Sequence, residues 1–388
     1  MVKKDRAPND PDRSVPERDP RALAARVRAR ALALGFTRVG VAAARRLDED
    51  FSRYERYLEE GLHGTMAYLA EHREARARVD GPEILEGARS VIVCAMDYRH
   101  APDEAAIAGG SRAPGLRDGG VIARYARGAD YHNFLRKRLR KLADFVRRAC
   151  GAEARPMVDT APVLERAWAR LAGVGFVGKN GCLIAPGVGS FVLLGEVVTT
   201  AELAPDEPME SRCGSCELCL RACPTEAFVR PFVLDAGRCV SFLTIEHRGA
   251  IPEPLRAGVG DRLFGCDVCQ DVCPYNKTSP GPAEPSAPFA LGARWSERDL
   301  RALLALDEGS FAALTEGSAL ARPGREGLLR NALTVLGNVG TIEHLPALRA
   351  TAEGERSPVL GEAARWAIAR IEAREADGVL SRRETTTR

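Results

Sequence analysis

The arrangement of apolar and polar positions divides this chain into three regimes. RSVIVCAM (89–96) is a continuous apolar, β-branched run, which predicts a buried strand. YHNFLRKRLRKLADFVRRAC (131–150) sets Phe134, Leu135, Leu139, Leu142, Phe145 and Val146 along one stripe of a long basic helix. From residue 297 onward the spacing is helical throughout, predicting helices over 297–306, 310–316, 325–339, 343–354 and 358–374.

Shorter patterns fill the remainder. Residues 21–34 read as a helix closed by Gly35, TRVGVA (37–42) as a strand, and 48–60 as a helix with Phe51, Tyr54 and Leu58 on one face. A Gly-rich loop covers 109–120. RPMVDT (155–160) predicts a strand end. A helix follows over 161–173, with Asp159 or Thr160 as its N-cap and Pro162 in the first turn. LIAPGVGSFVLLGEVVT (183–199) predicts a hairpin turning at Pro186-Gly187.

Strands alternating with helices, then helices alone, predict a multidomain protein of α/β or α+β class. Residues 1–20 read as a disordered lead, 21–205 as an α/β domain, and 206–290 as a cysteine-rich module ending in a Pro-rich linker (278–288). Residues 291–377 form a helical domain. There GREGLLRNALTVLGNVG and PVLGEAARWAIARIEA suggest one or two HEAT-type pairs leaning on the main body, with 378–388 a frayed polar tail.

Composition narrows the class. The 388 residues are 45% hydrophobic and 28% charged, ordinary for a soluble protein. The net charge of +3, from 56 basic and 53 acidic residues, neither demands nor excludes nucleic acid, so any basic patch is local. The Lys/Arg face of 131–150 reads first as solvated surface, with a role toward RNA as the alternative. No apolar run reaches membrane-spanning length, and the first twenty residues carry no secretory apolar core, which points to a reducing, cytoplasmic setting.

Eight of the eleven cysteines lie between 213 and 273. Cys213, Cys216, Cys219 and Cys223-Pro form C-x2-C-x2-C-x3-C-P, the bacterial ferredoxin pattern for [4Fe–4S] clusters, in which the fourth cysteine ligates the other cluster. That rule groups Cys213, Cys216 and Cys219 with Cys273, and Cys223 with Cys239, Cys266 and Cys269. Zinc sites, disulfides and free core cysteines are the alternatives; none of them favours this spacing. Cys94, Cys150 and Cys182 match no ligand spacing and read as core cysteines. Two clusters by themselves say only that single electrons move.

M157-V-D-T-A-P-V-L-E-R-A-W-A, G175-F-V-G-K-N-G, Y125-A-R-G-A-D-Y-H, S241-F-L-T-I-E and G265-C-D-V-C-Q-D-V-C-P-Y-N together resemble the epoxyqueuosine reductases, over about residues 21–277. The resemblance implies an α/β cobalamin-binding part, a ferredoxin-like double-cluster part and a HEAT-like extension. It implies reduction of epoxyqueuosine to queuosine in the tRNA anticodon loop, the last step of queuosine synthesis. Electrons would come from an external donor, and the chain would act as a cytoplasmic monomer away from membranes. Tyr275 stands where the family commonly has tryptophan, and Glu226 where a smaller residue is frequent; neither is expected to touch a ligand.

The resemblance also assigns roles. Asp159, in V-D-T, would be the proton donor, with its pKa raised by burial; the bland alternative is a helix cap. Arg166, two helical turns on, would stabilise substrate or intermediate, or be a structural arginine. Asp130-Tyr131-His132 begins like the D-x-H-x-x-G motif that gives cobalt a histidine, but position 135 is leucine, which suits base-off cobalamin. Tyr125, His132, Lys179, Asn180, Ser241 and Asp267 are the expected cofactor contacts, His132 by packing. Arg248, Arg256, Arg262 and Arg330 are expected to meet tRNA phosphates, or to be scattered surface arginines.

Two other functions share parts of this logic. One is a non-tRNA corrinoid iron–sulfur reductase, related to reductive dehalogenases; it would not need the HEAT-like extension. The other is a pure electron-transfer module, which needs neither a large α/β domain nor an acid at Asp159.

Overall fold

The computed structural model describes residues 19–100, 114–278 and 287–386. Most of the expected lead, the middle of the Pro-rich linker and the final two residues lie outside the described residues. In chain order the strands are β1 (Arg38–Ala43), β2 (Ser90–Asp97), β3 (Gly115–Leu116), β4 (Gly119–Ile122), β5 (Ala154–Met157), β6 (Phe176–Val177), β7 (Leu183–Ile184), β8 (Val192–Thr199), β9 (Phe228–Arg230), β10 (Val233–Leu234) and β11 (Arg262–Phe264).

The main sheet has the order β1-β2-β8-β5, and every neighbouring pair is antiparallel. The alternation of strands and helices therefore produces an α+β arrangement here, without parallel crossovers. All eight residues of β2 are buried. Ile92, Cys94 and Met96 pack under the helices Pro20–Ala33 and Tyr131–Cys150, while Val91, Val93 and Ala95 face Trp168 and Leu171 of the helix Glu165–Leu171. A strand covered on both faces has no reason to alternate polar with apolar, which is why its sequence is a continuous run.

The helix Tyr131–Cys150 has the predicted bounds. The Asp130 carboxylate caps its first turn by accepting from His132 N at 2.9 Å, and Gly151 ends it at φ +61°. Leu135, Leu139, Leu142 and Val146 are fully buried; Phe134 and Phe145 are only partly covered.

Three local expectations give way. The helix expected over 161–173 begins only at Glu165, with Leu164 at its N-cap and no side-chain cap, so Asp159, Thr160 and Pro162 belong to a loop. The 183–199 hairpin does not form as one unit. β7 pairs with β6, β8 enters the main sheet, and one bridge, Ala185 to Gly189, remains around Pro186-Gly187. The described part of the Gly-rich loop is the β3–β4 hairpin, and β4 runs parallel to β11, just ahead of Cys266.

The C-terminal helices share one core with the cysteine-rich segment. Leu328, Leu329, Leu333 and Leu336 of the helix Gly324–Val339 pack with Phe242, Leu243, Leu263 and Phe264. That helix lies against Pro358–Thr386, which also packs on Leu345–Gly354. The helix Pro358–Thr386 continues through most of the stretch expected to fray.

Candidate active site

Short helices, Leu218–Arg221 and Val268–Asp271, carry the cysteine turns and pack on one another. Cys213, Cys216, Cys219 and Cys273 line one small enclosed space of about 50 Å³, closed on one side by Tyr275 and Asn180. The other four thiols are electrostatic neighbours: Cys223 acts on Cys239, and Cys239 acts on both Cys266 and Cys269. Burial pushes the Cys266 thiol up to about 12, so iron entering there must displace protons. Two sets of four soft sulfur donors suit [4Fe–4S] clusters.

Two residues expected to be incidental touch these sets. Tyr275 reaches the first space, packs edge-on against Phe176 at 5.2 Å between ring centroids, and donates to Arg212 O at 3.1 Å. The Cys182 side chain hydrogen-bonds that of Cys269. Glu226 adopts φ +50°, a left-handed conformation that glycine would take without strain.

Asn180 lies between this region and a much larger cleft. It is 6% exposed. Its Nδ2 donates to Cys269 O at 3.3 Å, and its Oδ1 accepts from Cys182 N at 3.1 Å. The cleft holds about 820 Å³ and is lined by Tyr57, Tyr125, Phe232 and Phe242, with Ser241 and Cys239 on the side of the second cysteine set. Phe232 sits at the β9–β10 turn with φ +71°, held by its N–H donating to Lys179 O at 2.9 Å. Aromatic surfaces flanked by charged and polar groups such as Arg166, Arg56 and Glu165 suit a large ligand with a flat apolar face and a polar edge.

Asp159 stands at the loop that leads into this cleft. Tyr131 Oη donates to its Oδ2, and His132 Nε2 lies 2.9 Å from its Oδ1. His132 Nδ1 is 2.7 Å from Asp130 Oδ1, so both ring nitrogens are engaged by carboxylates and His132 presents none to a metal. Partial burial raises the Asp159 pKa, but the hydrogen bonds from His132 and Tyr131 outweigh it and hold the carboxyl below its ordinary value. The expected raised pKa is thus reversed in this arrangement, and the helix-cap reading falls because the helix starts six residues later. The hydrogen bond that His132 donates to Asp159 in turn raises His132 above the usual histidine range.

The remaining expected contacts separate into two groups. Tyr125, Asn180 and Ser241 line the cleft, as does the exposed Arg166, whose Nη1 donates to Gly181 O. Lys179 faces the small cysteine-lined space instead. Asp267 is 9% exposed and is taken up by Arg124, whose backbone N and Nη1 lie 2.9 and 3.1 Å from its Oδ2.

Two of the four arginines expected to meet RNA are buried. Arg330, 1% exposed, donates to the carbonyls of Leu243 (2.6 Å), His247 (2.9 Å) and Gly249 (2.8 Å). Arg256 is 4% exposed and pairs with Glu362. Half-buried Arg262 donates to Val259 O at 3.2 Å. Arg248 is exposed, with its guanidinium on the carbonyls of Ile245, Glu246 and Arg322. Arg330, Arg256 and Arg248 staple the helical segment to the cysteine-rich one, and burial removes Arg330 and Arg256 from any phosphate.

Sequence reasoning missed Tyr131, Glu165 and Glu196. Glu165 lines the cleft and has a buried Oε1 with no hydrogen-bond partner; Glu196, 1% exposed on β8, has two such oxygens. A lone acid inside the apolar run SFVLLGEVV was the available signal.

Comparison with known proteins places this geometry in a family. Residues 212–276 match the 4Fe-4S double cluster binding domain, and residues 78–160 match the epoxyqueuosine reductase QueG domain. The epoxyqueuosine reductase of Xanthomonas campestris pv. campestris is 41% identical over 354 residues, covering 90% of this chain and 97% of that protein. That of Escherichia coli K12 is 40% identical over 356 residues, covering 91% of each. Among solved structures, an epoxyqueuosine reductase bound to an epoxyqueuosine-modified tRNA-Tyr stem loop superposes with a TM-score of 0.79 at 32% identity, covering 90% of both chains. The Bacillus subtilis enzyme, captured with its catalytic aspartate loop swung out of the active site, gives a TM-score of 0.79 at 31% identity, covering 90% of both. The chain belongs to the epoxyqueuosine reductase family of oxidoreductases.

Proposed function

We propose that this chain reduces the epoxide of epoxyqueuosine at the wobble position of tRNA to the alkene of queuosine, with Asp159 as proton donor. The observation that carries the reading is the position of Asn180, which lines both the 820 Å³ cleft and the space bounded by Cys213, Cys216, Cys219 and Cys273. An electron source and a substrate-sized cavity thereby share a wall. The balance is an epoxide plus two electrons and two protons giving an alkene and water.

The aromatic residues along the cleft, Tyr57, Tyr125, Phe232 and Phe242, suit the flat face of a corrin such as that of cobalamin. When bound it supplies a cobalt centre able to hold the electrons that the two clusters pass singly. His132 is occupied by Asp130 and Asp159, which suits a base-off cofactor without a histidine ligand. Tyr125, Asn180 and Ser241 would hold the corrin edge. Arg166 would steady negative charge on the opening oxygen.

Asp159 works from a loop. Against Tyr131 and His132 its carboxylate is held ionised, the parked arrangement. Turned into the cleft it leaves both donors, its pKa rises, and it can carry a proton. The tRNA would bring its modified base into the cleft, with phosphates meeting the exposed Arg56 at its rim. We read the C-terminal helices as a HEAT-like layer that braces the cluster region. The electron donor is external, the chain a monomer, and the setting the reducing cytoplasm, where cluster thiolates are not lost to disulfides.

Anaerobic turnover tests this. Reconstituted protein, cobalamin, a strong reductant and epoxyqueuosine-containing tRNA are mixed, and the digested nucleosides are weighed. Loss of one oxygen with wild type, and its absence with Asp159→Asn at full cluster and corrin loading, is the expected result. No conversion by fully loaded wild type rejects the function. Conversion undiminished in the variant keeps the function and removes Asp159 from it.

A further inference from the structure

The reaction needs two protons, and Asp159 carries one. The wall of the cleft holds other carboxyl groups in an unusual state. Glu165 opens the helix Glu165–Leu171, lines the cleft beside Arg166, and buries Oε1 without a hydrogen-bond partner. Glu196 lies beneath that helix on β8, where it pairs in register with Met157, two residues before Asp159. Both its oxygens are buried without a partner. An ionised carboxylate in such a place would be very costly; a protonated one is far less so.

We propose that Glu165 and Glu196 form an internal proton store that reloads Asp159, so that the two protons of the reduction pass through one donor. The proposal rests on the epoxyqueuosine reductase reading. In the step, the O–H bond of Glu165 breaks and an O–H bond forms on the Asp159 carboxylate, leaving the negative charge on Glu165 beside Arg166. Glu196 is the neutral reserve behind it, and solvent in the cleft restores the store after turnover. Both are positioning residues, since Asp159 alone is assigned to the reacting oxygen.

The surrounding charges agree. Glu165 faces Asp159, Arg166 and His132. Burial first, then Asp159, push it up to about 8, against the smaller opposing effects of Arg166 and His132. Glu196 faces Glu165 and Asp159, with the buried Cys94 thiol within its field, and burial drives it well above the usual carboxylate range. Near neutral pH Glu165 and Glu196 therefore hold protons while parked Asp159 is ionised. Transfer to the parked carboxylate is uphill, so it takes place only after Asp159 turns into the cleft, leaves His132 and Tyr131, and its pKa rises.

Two measurements test this, and the first needs neither cofactor nor substrate. Infrared difference spectra of the full chain should show protonated carboxyl bands at pH 7, one lost in Glu165→Gln and another in Glu196→Gln. Absence of such bands, or their survival in both variants, overturns the proposal whatever the enzyme's activity. The second is the pH profile of turnover with epoxyqueuosine-containing tRNA. Wild type should lose rate as pH rises through about 8, where Glu165 ionises. Glu165→Gln should be at least about tenfold slower at pH 7, with KM unchanged and the limb near pH 8 gone. A wild-type-like profile in Glu165→Gln overturns the store. Failure of wild type to convert the tRNA rejects the functional reading instead, and the infrared result then stands by itself. Should Glu196→Gln not fold, Glu165→Gln, at the cleft surface, decides the matter.

Discussion

His132 Nε2 stands 2.9 Å from Asp159 Oδ1, and the pair is tuned in opposite directions: the histidine upward by its hydrogen bond to Asp159, the carboxyl downward. A raised histidine pKa gives stability that is full below its unfolded value, about 6.5, and lost as pH rises through the folded one. A depressed carboxyl gives stability present above its unfolded value, about 3.9, and lost as pH falls through the folded one. The pair is therefore strongest between about pH 4 and 6.5. Asp159 is 38% exposed, so solvent screening limits the whole effect to about 1 kcal/mol or less. Urea unfolding of wild type and His132→Asn should differ by that much at pH 6, with the gap narrowing toward pH 9. A gap independent of pH would detach His132 from Asp159.

Much of this frame was legible in the chain, for physical reasons that vary from residue to residue. The helix Tyr131–Cys150 was readable to the residue because an Asp cap, an apolar stripe and a terminal glycine agree. A double-cluster segment was readable because three of the ligand gaps, Cys213 to Cys216 to Cys219 to Cys223, are local. The start of the helix Glu165–Leu171 was not, since Asp before Pro looks like a cap whether its side chain turns to the backbone or away to Tyr131. Arg330 was misread because an arginine in an otherwise apolar helix, Leu328-Leu329-Arg330-Asn331-Ala332-Leu333, ends at the surface or inside depending on partners far away in sequence. Only the fold brings the carbonyls of Leu243, His247 and Gly249 around it. The unpartnered oxygens of Glu165 and Glu196 depend on tertiary burial, which no spacing encodes.

The crossed grouping of cysteines is open to a double-mutant test. Cys213→Ala and Cys273→Ala should each lower iron from about eight to about four atoms per chain, and the double variant should lose no more than either. Cys213→Ala combined with Cys223→Ala should lose nearly all of it. The reverse outcome, with Cys213 and Cys223 behaving as one site, would mean that Cys213, Cys216, Cys219 and Cys223 hold one cluster and Cys239, Cys266, Cys269 and Cys273 the other. Iron analysis and electron paramagnetic resonance of reduced protein read this directly.

Arg330 tests the structural role of the buried arginines. Burial and the nearby Arg248 lower its pKa to about 10, so it stays charged at neutral pH, held by main-chain carbonyls and Asn331 Oδ1 at 2.8 Å. Arg330→Met strands those acceptors in a buried place. The expected loss is about 3 kcal/mol in urea unfolding, since each charge-assisted bond contributes about 1.5–3 kcal/mol. The tRNA affinity of the folded fraction should not change. A variant of full stability with weakened binding would return Arg330 to the RNA surface.

The proposed function puts tRNA phosphates at the cleft rim, where Arg56 is exposed and borders the cavity. A guanidinium that meets a phosphate releases counterions, and each such contact adds about one unit to the slope of log affinity against log salt. Arg56→Ala should therefore weaken binding of modified and unmodified anticodon stem loops alike and reduce that slope by about one. The turnover number at saturating tRNA should hold, because Arg56 is not placed near the reacting oxygen. Binding titrations at several salt concentrations decide between this and a structural role, in which affinity would fall with the slope unchanged. Arg248→Ala serves as the comparison. Its guanidinium already sits on the carbonyls of Ile245, Glu246 and Arg322, so its loss should leave the slope intact while loosening the joint between the cysteine-rich and helical segments.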